Sequence, residues 1–265
     1  MKVIILAAGQ GRRLLPWTHD LPKCLLSFAG RPLIAWQLAA LAANRVDEVV
    51  VVTGFGADLM EREVARLTPP GLKVTTLFNP FFGVADNIAS CWAAREHLQG
   101  EVAILNGDTL IEPAVLAVAR DRTSGPITVT TDVKQDYDAD DVKVQIREDK
   151  VARIGKTLPP ECTDAEFIGL MLLRGLGGPL FSAAVENVMR KPRGVTRWFL
   201  SAVDDLAARG LVAAASIDGL NWTEVDYPGD MGRAELLARE WTHNERRRRQ
   251  AAMLSYQQPQ SQIAP

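Results

Sequence analysis

The chain has 265 residues, 47% hydrophobic and 23% charged, with a formal net charge of −2 and three cysteines. That is ample apolar material for a core in one α/β domain. Cys24, Cys91 and Cys162 are odd in number and form no CxxC, which argues against a disulfide framework or a zinc site and for a reducing compartment. Residues 1–6 are too short an apolar run for a signal peptide, and no stretch approaches the roughly 18 apolar residues of a membrane-spanning helix. A cytoplasmic protein without a membrane span is expected.

In chain order, residues 3–6 (VIIL) form a short, β-branched run suited to a buried strand. Residues 31–43 have helical spacing and 47–53 (DEVVVVT) form a second buried strand, so strand, helix and strand imply a parallel crossover. The alternation continues with helix 57–67, strand 72–77, helix 84–98 and strand 101–105. It predicts an α/β fold with a doubly wound, mostly parallel, Rossmann-like sheet whose ligands lie outside the carboxyl ends of the strands. Helix 113–122 is followed by strands at 127–133, 142–147, 151–154 and 167–173, closely spaced as in an antiparallel insertion. Helices at 180–189 and 197–209 and strands at 212–217 and 222–225 complete a domain over 1–235. A C-terminal helix is expected over 236–254 and a polar, proline-bearing, disordered tail over 255–265. The four arginines at 246–249 follow Glu240 and Glu245 and read as a solvated helix face, not a nucleic-acid or membrane patch.

The first strand runs into Ala7-Ala8-Gly9-Gln10-Gly11. Small residues let backbone approach a ligand closely, and Gly9 and Gly11 permit positive φ angles that aim successive N–H groups at an anion. Arg12, Arg13 and Lys23 place three cations beside this turn, so a polyphosphate is the expected partner. Two common glycine loops are excluded by residue. A dinucleotide fingerprint needs glycine where Leu14 stands, and the Gly155-Lys156-Thr157 ending of a Walker A loop has Lys150 at its first glycine position.

What remains, LAAGxGxRLxPxTxxxPK, resembles the signature of nucleotidyltransferases that make sugar nucleotides and related activated phospho-compounds. The fold implied is the nucleotide-diphospho-sugar transferase fold. The resemblance places Arg13 and Lys23 on a nucleoside triphosphate, with Leu6, Ala8, Gly9 and Gly11 around the nucleotide. Asp108, after the apolar run 102–105, and Asp226, in Trp222-Thr223-Glu224-Val225-Asp226, match the family's two acids for Mg²⁺, a cation that takes few protein carboxylates beside phosphates and water. Taken alone, each is an ordinary turn or cap acid.

The segments around Asn79, residues 86–92 and 138–144 are similar to those of bacterial phosphocholine and 2-aminoethylphosphonate cytidylyltransferases. This makes Asn87 and Ser90 the expected base readers, with helix capping as the alternative for Asn87. It puts Lys156 on the acceptor phosphate, and Asp140, Asp141, Trp222 and Glu224 around the acceptor. A solvated turn is the alternative for the aspartates. Departing from relatives, the segment Thr196-Arg197-Trp198-Phe199-Leu200 replaces an aromatic, acid-rich stretch.

The expected activity is Mg²⁺-dependent transfer from CTP to a small phosphate or phosphonate acceptor, of phosphocholine or 2-aminoethylphosphonate type, with release of pyrophosphate. Arg13, Lys23 and Lys156 would be the catalytic cations. A sugar-1-phosphate nucleotidyltransferase using UTP or dTTP, and a non-catalytic nucleotide-sensing subunit, are the alternatives. A homo-oligomer is compatible with this reading, and neither nucleic acid nor membrane is an expected partner.

Overall fold

A computed structural model of the chain describes residues 1–256. The expected tail at 255–265 therefore lies, from residue 257 on, outside the described residues. The first half is a series of crossovers: β1 (Lys2–Leu6), a short ladder of β2 (Ser27–Phe28) and β3 (Arg31–Pro32), α1 (Leu33–Ala43), β4 (Glu48–Thr53), α2 (Ala57–Leu67), β5 (Lys73–Phe78), α3 (Ile88–Ala93) and β6 (Val102–Asn106). There follow β7 (Thr109–Ile111), α4 (Pro113–Asp121), β8 (Ile127–Asp132), β9 (Lys143–Arg147), β10 (Lys150–Gly155), β11 (Ala165–Leu173), α5 (Gly177–Met189), α6 (Leu200–Ala207), β12 (Val212–Ser216), β13 (Trp222–Glu224) and α7 (Asp230–Tyr256).

Nine strands form one mixed sheet in the order β5-β4-β1-β6-β11-β8-β12-β10-β9. β5, β4, β1 and β6 are parallel, β11 runs antiparallel to both β6 and β8, and β12 returns parallel to β8. The apolar runs of the parallel half are explained by burial on both faces. Val3, Ile5, Val49, Val51, Ala103 and Leu105 face α1, α2 and α4, while Ile4, Val50, Val52, Val102 and Ile104 join α3, α5 and α6 on the opposite face. Each such valine, leucine or isoleucine side chain contributes about 1.5–3 kcal/mol by leaving water. A smaller third cluster packs α7, through Ala234, Ala238 and Trp241, on Leu14, Phe28 and Trp36. α7 begins at Asp230, so the expected division at 235/236 falls within one continuous helix.

Three local expectations are corrected. The helix expected at 84–98 is only α3 and a 3-10 turn at 95–97, because residues 80–87 form a loop tied by Asp86 N–H to Val195 O. The helices expected from 31 and 197 begin at Leu33 and Leu200. Arg31–Pro32 instead pairs with Ser27–Phe28. Finally, β7, immediately after Asp108, pairs antiparallel with β13, setting Thr109 opposite Glu224. The three residues of β7 carry no periodic signal. Their partner, 113 residues later, makes them a strand.

Candidate active site

Because β1, β4, β6, β8 and β12 share one direction, their carboxyl ends form one edge of the sheet, and the predicted site residues collect there. After β1, Ala7 N–H donates to Val52 O and Ala8 O accepts from Phe55 N–H, so the loop is fixed to the end of β4. Gly11 is left-handed (φ 75°), and a Cβ there would sit 2.9 Å from the Cβ and Cδ of Lys23; only glycine allows the two strands of the loop to approach. Buried Thr18 holds the same residue from the other side, its hydroxyl donating to Gly11 O at 2.8 Å. Gly9 departs from expectation. It does not adopt a positive φ, and a Cβ there would meet nothing within 4 Å, so its contribution is open space beside the loop.

Arg13 and Lys23 sit on two short 3-10 turns, 12–14 and 23–25, anchored by buried Leu14 and Leu25. Lys23 Nζ donates to Asp108 Oδ2 at 2.7 Å and to Asp226 Oδ1 at 2.5 Å. Arg13 reaches Asp226 and Asp140, both at 3.4 Å, and Lys156 Nζ donates to the other oxygen of Asp140 at 2.9 Å. Five separate stretches of sequence thus build one chain of alternating charge: Lys156, Asp140, Arg13, Asp226, Lys23, Asp108. Arg12, at the position that the pattern leaves free, is exposed. Asp226 is held by Asp230 at the start of α7, whose carboxylate accepts from the N–H groups of both Asp226 and Tyr227.

Burial opposes charge on Lys23, but the carboxylates of Asp108 and Asp226 outweigh it and hold the ammonium above its ordinary range. Asp108 is correspondingly lowered: burial would raise it, and Lys23 reverses the sign. Glu224 lies close by without such a partner. Burial, then the charges of Asp108 and Asp226, push it well above the usual carboxylate range. Asp108 and Asp226 converge on one cationic point, now filled by an ammonium, and present hard oxygen donors. They fit a divalent cation such as Mg²⁺. Among the described residues no three His, Cys, Asp or Glu side chains gather as a metal cluster, so two carboxylates would be the protein's share, with ligand oxygens and water completing the shell.

Beside this chain lies a cavity of about 370 Å³ in which eight of fourteen lining residues are Asp or Glu. It contains the predicted acceptor residues Asp140, Asp141, Trp222 and Glu224, and also Asp132, Asp138 and Glu166. Lys134 bridges Asp141 at 2.7 Å and Glu166 at 3.0 Å. Burial pushes Glu166 up to about 7 despite that lysine. Trp222 donates its indole N–H to Asp132 at 2.8 Å. Two residues outside the predicted set organise this wall. Lys143, 3% exposed, donates to the backbone carbonyls of Asp138 and, at 3.2 Å, Lys156, tying the acid loop to the start of the loop after β10. Tyr227 lies under the Arg13 guanidinium, 5.0 Å from its ring centroid.

The expected base readers lie farther along, on α3. Asn87 is at its N-cap but makes no capping bond; its Oδ1 accepts from Phe199 N–H at 2.9 Å. Ser90 is buried, with Oγ accepting from Asn79 Nδ2 at 3.0 Å. Asn79 is the residue that local reasoning left without a role. Lys156 Nζ also lies 3.9 Å from the Trp198 ring centroid, so the departing segment at 196–200 packs directly on Lys156, the lysine expected at the acceptor.

Compared with known proteins, the chain is 34% identical over 248 residues to CMP-5'-(3-aminopropyl)phosphonate synthase of Streptomyces rubellomurinus, a match covering 89% of this chain and 38% of that protein. It is 29% identical over 104 residues to CTP:phosphoglutamine cytidylyltransferase of Campylobacter jejuni, covering 37% of this chain and 41% of that protein. The chain therefore spans well under two thirds of both relatives. Among solved structures, CTP:phosphocholine cytidylyltransferase from Streptococcus pneumoniae superposes with a TM-score of 0.72 at 19% identity, covering 89% of this chain and 98% of that one, a likeness of fold. Residues 3–155, more than half of the chain, match the family model of the MobA-like NTP transferase domain, and the chain belongs to that family.

Proposed function

We propose that the chain is a Mg²⁺-dependent cytidylyltransferase that joins the CMP moiety of CTP to a small phosphate or phosphonate acceptor carrying a primary amine. The observation that carries the reading is the alternating chain of charge from Lys156 to Asp108 beside the acidic cavity. It supports the reading because three cations, enough for two anionic reactants, alternate with Asp140, Asp226 and Asp108. In this reaction an acceptor oxygen attacks the α-phosphorus of CTP, forming a P–O bond as the bond to pyrophosphate breaks. The acceptor is already ionised, so no general base is needed. The protein's work is alignment and charge neutralisation. Lys156 holds the acceptor phosphate or phosphonate, Arg13 and Lys23 face the triphosphate, and the loop at Ala8–Gly11 wraps the nucleotide. Asp108 and Asp226 would hold Mg²⁺, which when bound neutralises phosphate charge.

The amine follows from the cavity: eight acids face two bases, Lys134 and Arg233. Asp140 is already paired with Lys156, and Asp141 and Glu166 share Lys134, which leaves Asp132 and Asp138 as the further acids for an ammonium. A quaternary amine would need aromatic faces. Of the aromatic residues Phe81, Phe82, Trp198 and Trp222, only Trp222 lines this cavity, and Trp198 already faces Lys156. Nucleotide choice rests on Asn87 and Ser90, with Asn79 completing the polar set. The test is a matrix of nucleoside triphosphates against 2-aminoethylphosphonate, 3-aminopropylphosphonate, phosphocholine, glycerol phosphate and sugar 1-phosphates, read as pyrophosphate release. CTP with a primary-amine acceptor should give the highest kcat/KM. Preference for UTP or dTTP with a sugar phosphate would overturn the assignment, and release in no combination would favour the sensing subunit.

A further inference from the structure

The turn that carries Asp108 has all four of its carbonyls engaged by donors from three other elements. Asn106 O and Thr109 O each accept from the same Gln37 Nε2, both at 2.8 Å. Gly107 O accepts from Cys24 Sγ at 3.1 Å, and Asp108 O from Val225 N–H at 3.0 Å. Cys24 follows Lys23, and Val225 lies between Glu224 and Asp226. The donors that grip the Asp108 turn are therefore covalent neighbours of the groups that face its carboxylate. Gly107 completes the fit, since a Cβ there would stand 2.5 Å from Leu6 O and 2.9 Å from Cys24 Sγ.

Gln37 differs from the other two donors. It is far from the site in sequence, sits on α1, and is 0% exposed. Both of its amide protons are committed to the two ends of the turn, and its Oε1 has no partner among the described residues. An unpartnered buried acceptor is destabilising, because it gives up its hydrogen bonds to water and gains none in return. The opposite amide orientation would set Oε1 against two carbonyl oxygens, so the observed one is imposed by the turn. A leucine-like side chain would suit the surrounding α1 face, where Ile34, Leu38 and Leu41 pack in the core. The polar group is retained at a cost, and among the described residues its hydrogen bonds go only to the turn that presents Asp108.

We propose that Gln37 is a positioning residue: it sets the height and direction of the Asp108 carboxylate by stapling both ends of the 106–109 turn to α1. This rests on the reading of Asp108 as a metal-holding acid. Outer partners that orient a ligand typically change metal affinity by about 10–100-fold when removed.

The test compares Gln37→Met, which fills the space without a donor, and Gln37→Asn, whose shorter amide cannot span both carbonyls, with the unaltered chain. Val185→Ala on α5, a buried change on the other face of the sheet, controls for lost stability. Three quantities are read well below the unfolding midpoint: the Mn²⁺ dissociation constant with CTP present, followed by electron paramagnetic resonance; kcat; and KM for CTP. For either Gln37 variant, about tenfold or greater weakening of Mn²⁺ and a comparable fall in kcat are expected, with KM for CTP within about threefold. Val185→Ala should lower Tm and leave the other quantities within about twofold. If Gln37→Met does not fold, Gln37→Asn carries the test. Gln37 variants with lowered Tm but unchanged Mn²⁺ affinity and kcat would overturn the staple. Asp108→Asn, run in parallel, tells which idea failed. An inactive Asp108→Asn beside normal Gln37 variants removes only the staple, while a fully active Asp108→Asn removes the site reading and the staple with it.

Discussion

The two halves of the sheet present their functional groups in different ways. In the parallel half, β5-β4-β1-β6, the inner strands β4, β1 and β6 are buried on both faces while β5 forms the exposed edge, and Arg13, Lys23 and Asp108 project from turns directly after or near β1 and β6. In the mixed half, Asp140, Lys156 and Asp226 come from loops whose positions depend on pairings such as β13 with β7 and on buried Lys143. The family match ends at residue 155, one residue before Lys156. Under the proposed function the groups that face the nucleotide come mainly from the first half and those that face the acceptor from the second, which predicts that substitutions on the two sides will separate kinetically.

The largest effect should come from the acids where the halves meet. Asp226→Asn removes one of the two carboxylates that converge on Lys23. It should lower kcat for pyrophosphate release by at least about 10³-fold with an unchanged circular dichroism spectrum. An enzyme that stays active and metal-dependent after this change would break the comparison at its centre. Lys156→Ala should act on one side only. Loss of a charge-assisted hydrogen bond worth about 1.5–3 kcal/mol should raise the acceptor KM about 10–100-fold while KM for CTP holds. Equal changes in both would mean that Lys156 faces the triphosphate. Smaller again, Ser90→Ala should reduce the ratio of kcat/KM for CTP over UTP by about tenfold, since it removes the hydroxyl that receives Asn79. A constant ratio would shift base reading to the backbone of the β1 loop.

These contrasts also explain what could be read from sequence. Residues of the loop after β1 carry local physical reasons: Gly11 must be left-handed against Lys23, Leu14 must be buried, and Thr18 must hold Gly11 O. Such reasons confine residues to fixed spacings, and a short pattern therefore reveals them. The parallel strands were legible for a similar reason, as unbroken apolar runs. β7, Asp132 and Gln37 had no local mark. Glu166 lies at the start of a strand otherwise filled by apolar residues, and only the pairing of β11 with β8 brings it to the cavity, opposite Asp132. Helix 84–98 was overestimated because its apolar spacing spoke for helix while its polar loop was held by Val195, more than 100 residues away.

Glu166 supplies the sharpest test of whether the acid cavity is a separate electrostatic unit. Burial raises its folded pKa to about 7, above the ordinary carboxylate value of 4.5. Between those two values the folded state keeps a proton that the unfolded chain has released, so ν_U is smaller than ν_N and stability falls as pH rises. The contribution is fully present below about pH 4.5 and is lost by about pH 7. Glu166→Gln removes the titration but keeps the shape and a polar end. The difference in unfolding free energy, unaltered chain minus variant, should therefore decline by on the order of 1–3 kcal/mol between pH 5 and pH 8. Urea unfolding at several pH values measures it, and titrations elsewhere cancel in the difference. A flat difference would mean that Lys134 keeps Glu166 ionised throughout. A substrate ammonium would then meet a carboxylate already neutralised by the protein, and the acceptor half would owe its selectivity to Asp132 and Asp138 instead.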